Sequence, residues 1–141
     1  MAAYSDILFA KIALGNRLIT AGQVQQALAA QEQTPGRTLG DLLVQRGLIT
    51  REQAQRVQRA QALTQFVRAE RIYAKIVLER KLAPIQVLRE CFALQEQSQH
   101  KARLGQLLVE RRVLSPAQND EVVEEQLVRL AEETSRIEEA G

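Results

Sequence analysis

The sequence predicts an all-α fold of tandem helical hairpins in two similar halves, and three observations carry that prediction. Ala, Leu, Gln, Glu and Arg, all good helix formers, dominate, while Gly and Pro number only 7 and 3, too few for a many-turned all-β fold. A short helix-start pattern recurs along the chain. A longer pattern recurs at a shift of 64 to 65 residues.

The helix-start pattern is two aliphatic residues, a Ser or Thr, two variable residues and a Gln. It occurs as Leu18-Ile19-Thr20-Ala21-Gly22-Gln23, Leu48-Ile49-Thr50-Arg51-Glu52-Gln53 and Val113-Leu114-Ser115-Pro116-Ala117-Gln118. The hydroxyl can accept an orphan backbone N–H of the first turn, and the Gln can reach back to the cap, which is a capping box. Pro116 then stands first in its helix, where a missing N–H costs nothing. A worn copy is Lys81-Leu82-Ala83-Pro84-Ile85-Gln86, best aligned with Pro84 in the Thr position, with Ala83 as cap the other option. Each capped helix reaches a Gln eleven residues on: Gln31, Gln61, Gln95 and Gln126.

At the larger scale, Leu8-Phe9-Ala10-Lys11-Ile12-Ala13-Leu14 matches Ile72-Tyr73-Ala74-Lys75-Ile76-Val77-Leu78, and Leu39-Gly40-Asp41-Leu42-Leu43-Val44 matches Leu104-Gly105-Gln106-Leu107-Leu108-Val109. This reads as a duplicated pair of hairpins: residues 1–64 as one repeat pair, 65–141 as a second that ends in an acidic helix. Seven to nine helices are expected in four hairpin units, each a short helix, a tight turn and a longer capped helix. In the second unit the short helix is 38–46, and Gly47 suits the left-handed position after it. Arg112 replaces that glycine in the fourth unit, at a small cost. Pro35-Gly36 marks the loop between the first two units. No Gly or Pro lies between Leu48 and Pro84, so one long helix over about 51–81 is expected. Its apolar stripe is Ala54, Val57, Ala60 or Gln61, Leu63 or Thr64, Val67, Ile72, Ile76 and Leu78. The last helix, 116–139, is acidic at its C-terminal end, against the helix dipole, and should fray unless something holds it.

With 45% hydrophobic residues in 141, the chain can bury a core, and with 4% aromatic and no Trp that core must be aliphatic. Residues 1–115 carry net +8 and residues 116–141 net −6, so the final helix is either a solvated acidic face or a tail that docks on a basic surface. The single cysteine, Cys91, has no intramolecular partner, which favours a reducing compartment. The apolar stretch 7–14 is broken by Lys11 and follows Asp6, so it does not read as a signal peptide. No apolar run approaches the ~18–20 residues that span a bilayer. A cytoplasmic protein without membrane insertion is expected.

Catalytic chemistry finds little support, and no enzyme, catalytic residue or metal site is expected. His100, the one histidine, lies in the polar stretch Gln97-Ser98-Gln99-His100-Lys101 and reads as an exposed linker residue. Cys91 falls where the first unit has Ala27 and reads as a small core residue. Glu124, Glu125, Glu132 and Glu133 look like a solvated face. Nucleic-acid binding ranks low: Arg51, Arg56, Arg59, Arg68 and Arg71 do not keep one helical face, and Phe66, the one aromatic among them, reads as core. Protein–protein interaction fits best, because stacked hairpins present a rigid grooved surface. Phe9 and Tyr73 start the two halves. They either plug the core or lie where the halves, or two copies in a homodimer, meet.

The repeats resemble the N-terminal domain of the ATPases that drive bacterial type II secretion and type IV pilus assembly. That family has an Arg-Leu-Gly start, two leucines, a glycine and a capped helix ending in Gln. Arg103-Leu104-Gly105, Leu108 and Gln126 fit it, as do Leu39-Gly40, Leu43, Gly47 and Gln61. Thr38 stands where the Arg belongs and Arg37 is one place early. Some members bind cyclic di-GMP through paired copies of this motif. The resemblance implies that ligand class and a site at Arg37, Leu39, Gly40, Leu43, Arg103, Leu104, Gly105 and Leu108. Leu8-Phe9-Ala10 and Ile72-Tyr73-Ala74 replace Arg-Leu-Gly, so each pair keeps at most half a site. The 141 residues contain no Gly-x4-Gly-Lys-Ser/Thr phosphate loop, so no ATPase domain is expected. The expected function is a cofactor-free bacterial adaptor or regulatory module for a protein partner, with a cyclic di-GMP receptor as the competitor.

Overall fold

The computed structural model describes residues 2–140. Among them the chain forms seven helices and no strand, so the fold is all-α. The helices are α1 (Tyr4–Gly15), α2 (Ala21–Gln33), α3 (Leu39–Gln45), α4 (Arg51–Glu79), α5 (Ile85–Gln97), α6 (Leu104–Glu110) and α7 (Pro116–Ala140). None is long and apolar enough to cross a membrane. The chain divides into two compact units: unit 1 is Met1–Leu63 with Thr134–Gly141, and unit 2 is Thr64–Glu133. The end of α7 therefore groups with unit 1, although the sequence division left it with the second half. There Glu138 Oε1 accepts the Tyr4 N–H at the start of α1 at 2.9 Å, so an acid of the tail sits on a helix N-terminus that favours negative charge.

Three helices begin as the sequence dictates. Gln23 N–H donates to Thr20 Oγ1 at 3.2 Å and Thr20 N–H to Gln23 Oε1 at 2.9 Å. Thr50 with Gln53, and Ser115 with Gln118, repeat both bonds at 2.9–3.1 Å. Pro84 itself occupies the cap of α5, with φ −75° and ψ 155° and no side-chain bond; the alternative with Ala83 as cap does not occur.

Each turn before these caps is made by one residue in the left-handed region: Arg17 (φ 58°), Gly47 (φ 72°), Lys81 (φ 57°) and Arg112 (φ 58°). The N–H of the next residue then returns to a carbonyl five positions back, as from Leu18 to Ala13, Leu48 to Leu43, Leu82 to Val77 and Val113 to Leu108, at 2.9–3.0 Å. This satisfies carbonyls that the helix end leaves without partners. Only Gly47 takes that conformation without steric cost.

Each unit has its own core, and residues 64 or 65 apart hold matching places. Phe9, Ala13, Ala27, Leu39, Leu43, Ile49 and Val57 are buried in unit 1. Tyr73, Val77, Cys91, Leu104, Leu108, Leu114 and Val122 are buried in unit 2. Phe9 and Tyr73 thus each plug the core of their own unit. In unit 1, α3 packs on α1 and α2; in unit 2, α6 packs on α5.

Two expectations are corrected by α4 and its neighbours. The apolar stripe is interrupted, because Ala60, Leu63 and Thr64 are exposed and belong to neither core, and Leu78 is exposed where Val77 is buried. The short-then-long pattern holds for α3–α4 and α6–α7, but α1 and α2 are nearly equal at 12 and 13 residues.

Candidate functional site

Among the described residues each unit buries one carboxylate side chain, Asp6 or Glu70, and that carboxylate holds the start of a short helix beside a cleft. In unit 1, Asp6 Oδ1 accepts the Leu39 N–H at 3.0 Å and Oδ2 accepts from Gln31 Nε2 at 2.8 Å. In unit 2, Glu70 Oε1 accepts the Leu104 N–H at 2.7 Å and Gln95 Nε2 at 2.9 Å. Each acid therefore caps the short helix, α3 or α6, on which a Leu-Gly pair begins. The same glutamines also donate to Arg37 O at 2.8 Å and Ala102 O at 3.1 Å, fixing the loop just before that helix. Gln61 and Gln126 complete the frame by donating to Ser5 O at 2.6 Å and Ala69 O at 2.8 Å, one residue before each acid. The four repeated glutamines are thus structural ties. The acids themselves escaped the sequence reading, although the shift of 64 pairs Asp6 with Glu70.

Burial pushes the Glu70 carboxyl above its ordinary range. The Leu104 N–H, the Gln95 amide and the nearby Arg103 charge oppose that rise without overcoming it. Burial, and then the Glu70 charge, push the Tyr73 phenol up as well.

The unit 2 cleft is about 560 Å³, between the end of α4, α6 and the first half of α7, a size suited to a small molecule or a side-chain anchor. Tyr73, Val109, Val123 and Leu127 give it an apolar wall, and Arg103, Glu110 and Asp120 charge its rim. Tyr73 donates its hydroxyl to Asn119 Oδ1 at 2.6 Å. The unit 1 cleft, about 420 Å³, lies at the corresponding place beside α3 and the start of α4. There Gln45, Gln55 and Gln58 stand where unit 2 has Glu110, Asp120 and Val123, and Arg51 stands where it has Pro116.

The residues singled out by the family pattern divide between cleft and core. Arg37 and Arg103 are exposed and line the two clefts, and Arg37 Nη1 donates to Gln45 Oε1 at 3.0 Å. Gly40 and Gly105 line them too, each directly over a ring: a Cβ at Gly40 would stand 3.0 Å from Phe9, and one at Gly105 would stand 2.8 Å from the Tyr73 hydroxyl. Leu39, Leu43, Leu104 and Leu108 are fully buried in the cores, behind the cleft walls.

The remaining candidates fall elsewhere. Cys91 is buried. His100 is half-buried rather than exposed, edge-on to Phe66 with ring centroids 5.7 Å apart. Of the basic stripe, Arg56 pairs with Glu52 at 3.3 Å and Arg68 with Glu133 at 3.2 Å. Glu125 pairs with Arg80 at 3.0 Å, so with Glu133 part of the acidic helix is neutralised within unit 2, while Arg129 of the same helix pairs with Glu79 at 2.7 Å. Among the described residues no group of three or more His, Cys, Asp or Glu side chains is placed to hold a metal ion. Comparison with family models, curated proteins and solved structures gave no match.

Proposed function

We propose that this chain is a non-enzymatic adaptor or regulatory module whose unit 2 cleft receives a protein partner. One observation carries the reading: Leu127, on the wall of a preformed cleft, is 60% exposed. Large side chains left in water on a rigid concave face mark interaction surfaces. The frame behind them supports this, because Glu70, Gln95 and Gln126 fix the walls before any partner arrives, which lowers the entropic cost of binding. The resemblance of its repeats to secretion and pilus ATPase domains supports, as an analogy, a role beside such a machine in a bacterial cytoplasm. A photo-cross-linking residue at Leu127, with one at Gln55 as control, tests the reading in cells. A discrete protein adduct from Leu127 alone is expected; adducts from neither position would sink it.

A second reading, a cyclic di-GMP receptor, is favoured by one observation. Arg37 and Arg103 are both exposed beside an open cleft and next to a Leu-Gly helix start. A guanidinium so placed can stack on a base and contact phosphate. Calorimetric titration with cyclic di-GMP decides it: micromolar binding lost in Arg103→Ala supports the receptor, and absence of heat removes it.

A further inference from the structure

We infer that the occupant of the unit 2 cleft is a short partner segment with an aliphatic or aromatic anchor flanked by Lys or Arg. The inference rests on the adaptor reading and specifies the partner's chemistry. The floor argues for the anchor. Its polar atoms are already engaged, the Tyr73 hydroxyl with Asn119 at 2.6 Å and Gln126 Nε2 with Ala69 O at 2.8 Å. Among the described residues, no buried side-chain N or O is left unpartnered. A polar group reaching the floor would lose water and would have to displace one of these bonds to find a partner, which is costly. An apolar side chain against Val109, Val123 and Leu127 has no such penalty and gains by burial.

The rim argues for the flanks. Glu110 and Asp120 are exposed carboxylates on the lips, against one cation, Arg103. Glu121 and Glu124 extend the exposed negative charge along α7. Unit 1 shows what the same place looks like without this chemistry. Its cleft carries Arg37 and Arg51 against Asp41, with Gln58 in place of the apolar Val123. The wall charge is thus negative in unit 2 and positive in unit 1, and complementary charge around an apolar anchor selects the partner.

The test uses the whole chain and three synthetic peptides that share a Leu-Phe anchor, flanked by Lys/Arg, by Gln or by Glu. Binding is followed by the methyl NMR signals of Val109, Val123 and Leu127, with Val44 of the unit 1 cleft as internal control. The Lys/Arg peptide should shift the three unit 2 methyls, leave Val44 in place, and bind about tenfold more tightly than the Glu peptide. Glu110→Lys combined with Asp120→Lys should reverse that order, and these exposed positions leave the core intact. Equal affinity for the three peptides, shifts at Val44 instead, or no binding at millimolar peptide would overturn the inference. A Leu127 cross-link adduct obtained alongside any of those results would leave the adaptor reading intact. Loss of both would remove the two together.

Discussion

Glu70 Oε1 accepts the Leu104 N–H at 2.7 Å and, on the same atom, the Gln95 amide at 2.9 Å. One buried oxygen thereby joins α4, α5 and α6, and it sits behind the wall of the larger cleft. Truncation by Glu70→Ala strands the buried Leu104 N–H and takes one of two acceptors from the Gln95 amide, so a loss of about 2–4 kcal/mol is expected. Glu70→Gln keeps a carbonyl acceptor at that point and should cost less, about 1–2 kcal/mol. Urea midpoints for the two variants, with exposed Glu52→Gln as control, check the order; equal losses would mean that the carboxyl does not serve as the cap.

The same residue sets a pH dependence. Its pKa is raised in the folded chain above an ordinary 4.5, with burial the largest cause. Within the window between 4.5 and the folded pKa, the folded state binds more protons than the unfolded one. The Glu70 contribution to stability is therefore most favourable below that window and declines as pH rises through it. Relative to Glu70→Gln, which has no titrating group there, the native chain should gain stability as pH falls toward 4.5. Paired unfolding curves at several pH values measure the difference; a pH-independent difference contradicts the assignment.

Tyr73 and Asn119 form a pair that unit 1 replaces with Phe9 and Ala54. Asn119→Ala leaves a buried phenol hydroxyl without its acceptor and should cost about 1–3 kcal/mol. Adding Tyr73→Phe removes the stranded donor. The double variant should then be more stable than Asn119→Ala alone, a coupling that a double-mutant cycle reads directly. Strict additivity would show that the bond contributes nothing.

Helix starts and cores were legible in the sequence because their causes are local or periodic. Thr20, Thr50 and Ser115 announce caps through their own glutamines, and Phe9 and Tyr73 share a place in apolar runs that match at one shift. The clefts were legible only by halves. The motif names Leu39 and Leu104 without saying which way they face, and their full burial is a property of packing. Asp6 and Glu70 were invisible because an isolated acid in a helix resembles any solvated residue. What singles them out is an N–H more than thirty residues away in sequence. The interruption of the α4 stripe at Leu63 is likewise set by where the two cores end, and Leu63 itself carries no sign of it.

Gly105 and Gly40 test how tightly the rings seat beneath the helix starts. A Cβ at Gly105 would overlap Asn119 Oδ1 and stand 2.8 Å from the Tyr73 hydroxyl, whereas one at Gly40 would meet only the Phe9 ring at 3.0 Å. Alanine gains about 1 kcal/mol of helix propensity at either site, but overpacking in a filled core costs about 1–3 kcal/mol. Gly105→Ala should therefore destabilise clearly and weaken the Tyr73–Asn119 bond, while Gly40→Ala stays closer to neutral. Thermal unfolding of both variants checks the ranking, and the reverse order would place the close approach in the wrong unit.

Arg112 offers the opposite experiment, a substitution that improves the fold. It holds φ 58° at the turn where the second hairpin unit has Gly47 at φ 72°. A side chain in that region costs roughly 1–2 kcal/mol, and glycine removes the clash while adding about 0.4–1 kcal/mol of unfolded-state entropy. Arg112→Gly should therefore stabilise the chain by about 0.5–1 kcal/mol, the smaller effect surviving after the two oppose each other. Gly47→Ala, which introduces the same clash, should destabilise by about 1 kcal/mol. Arg112 is exposed and lies outside the residues that line the large cleft, so Arg112→Gly should leave peptide binding unchanged while raising the midpoint of unfolding. A lowered midpoint would mean that the Arg112 side chain makes a contact worth more than the backbone strain it carries.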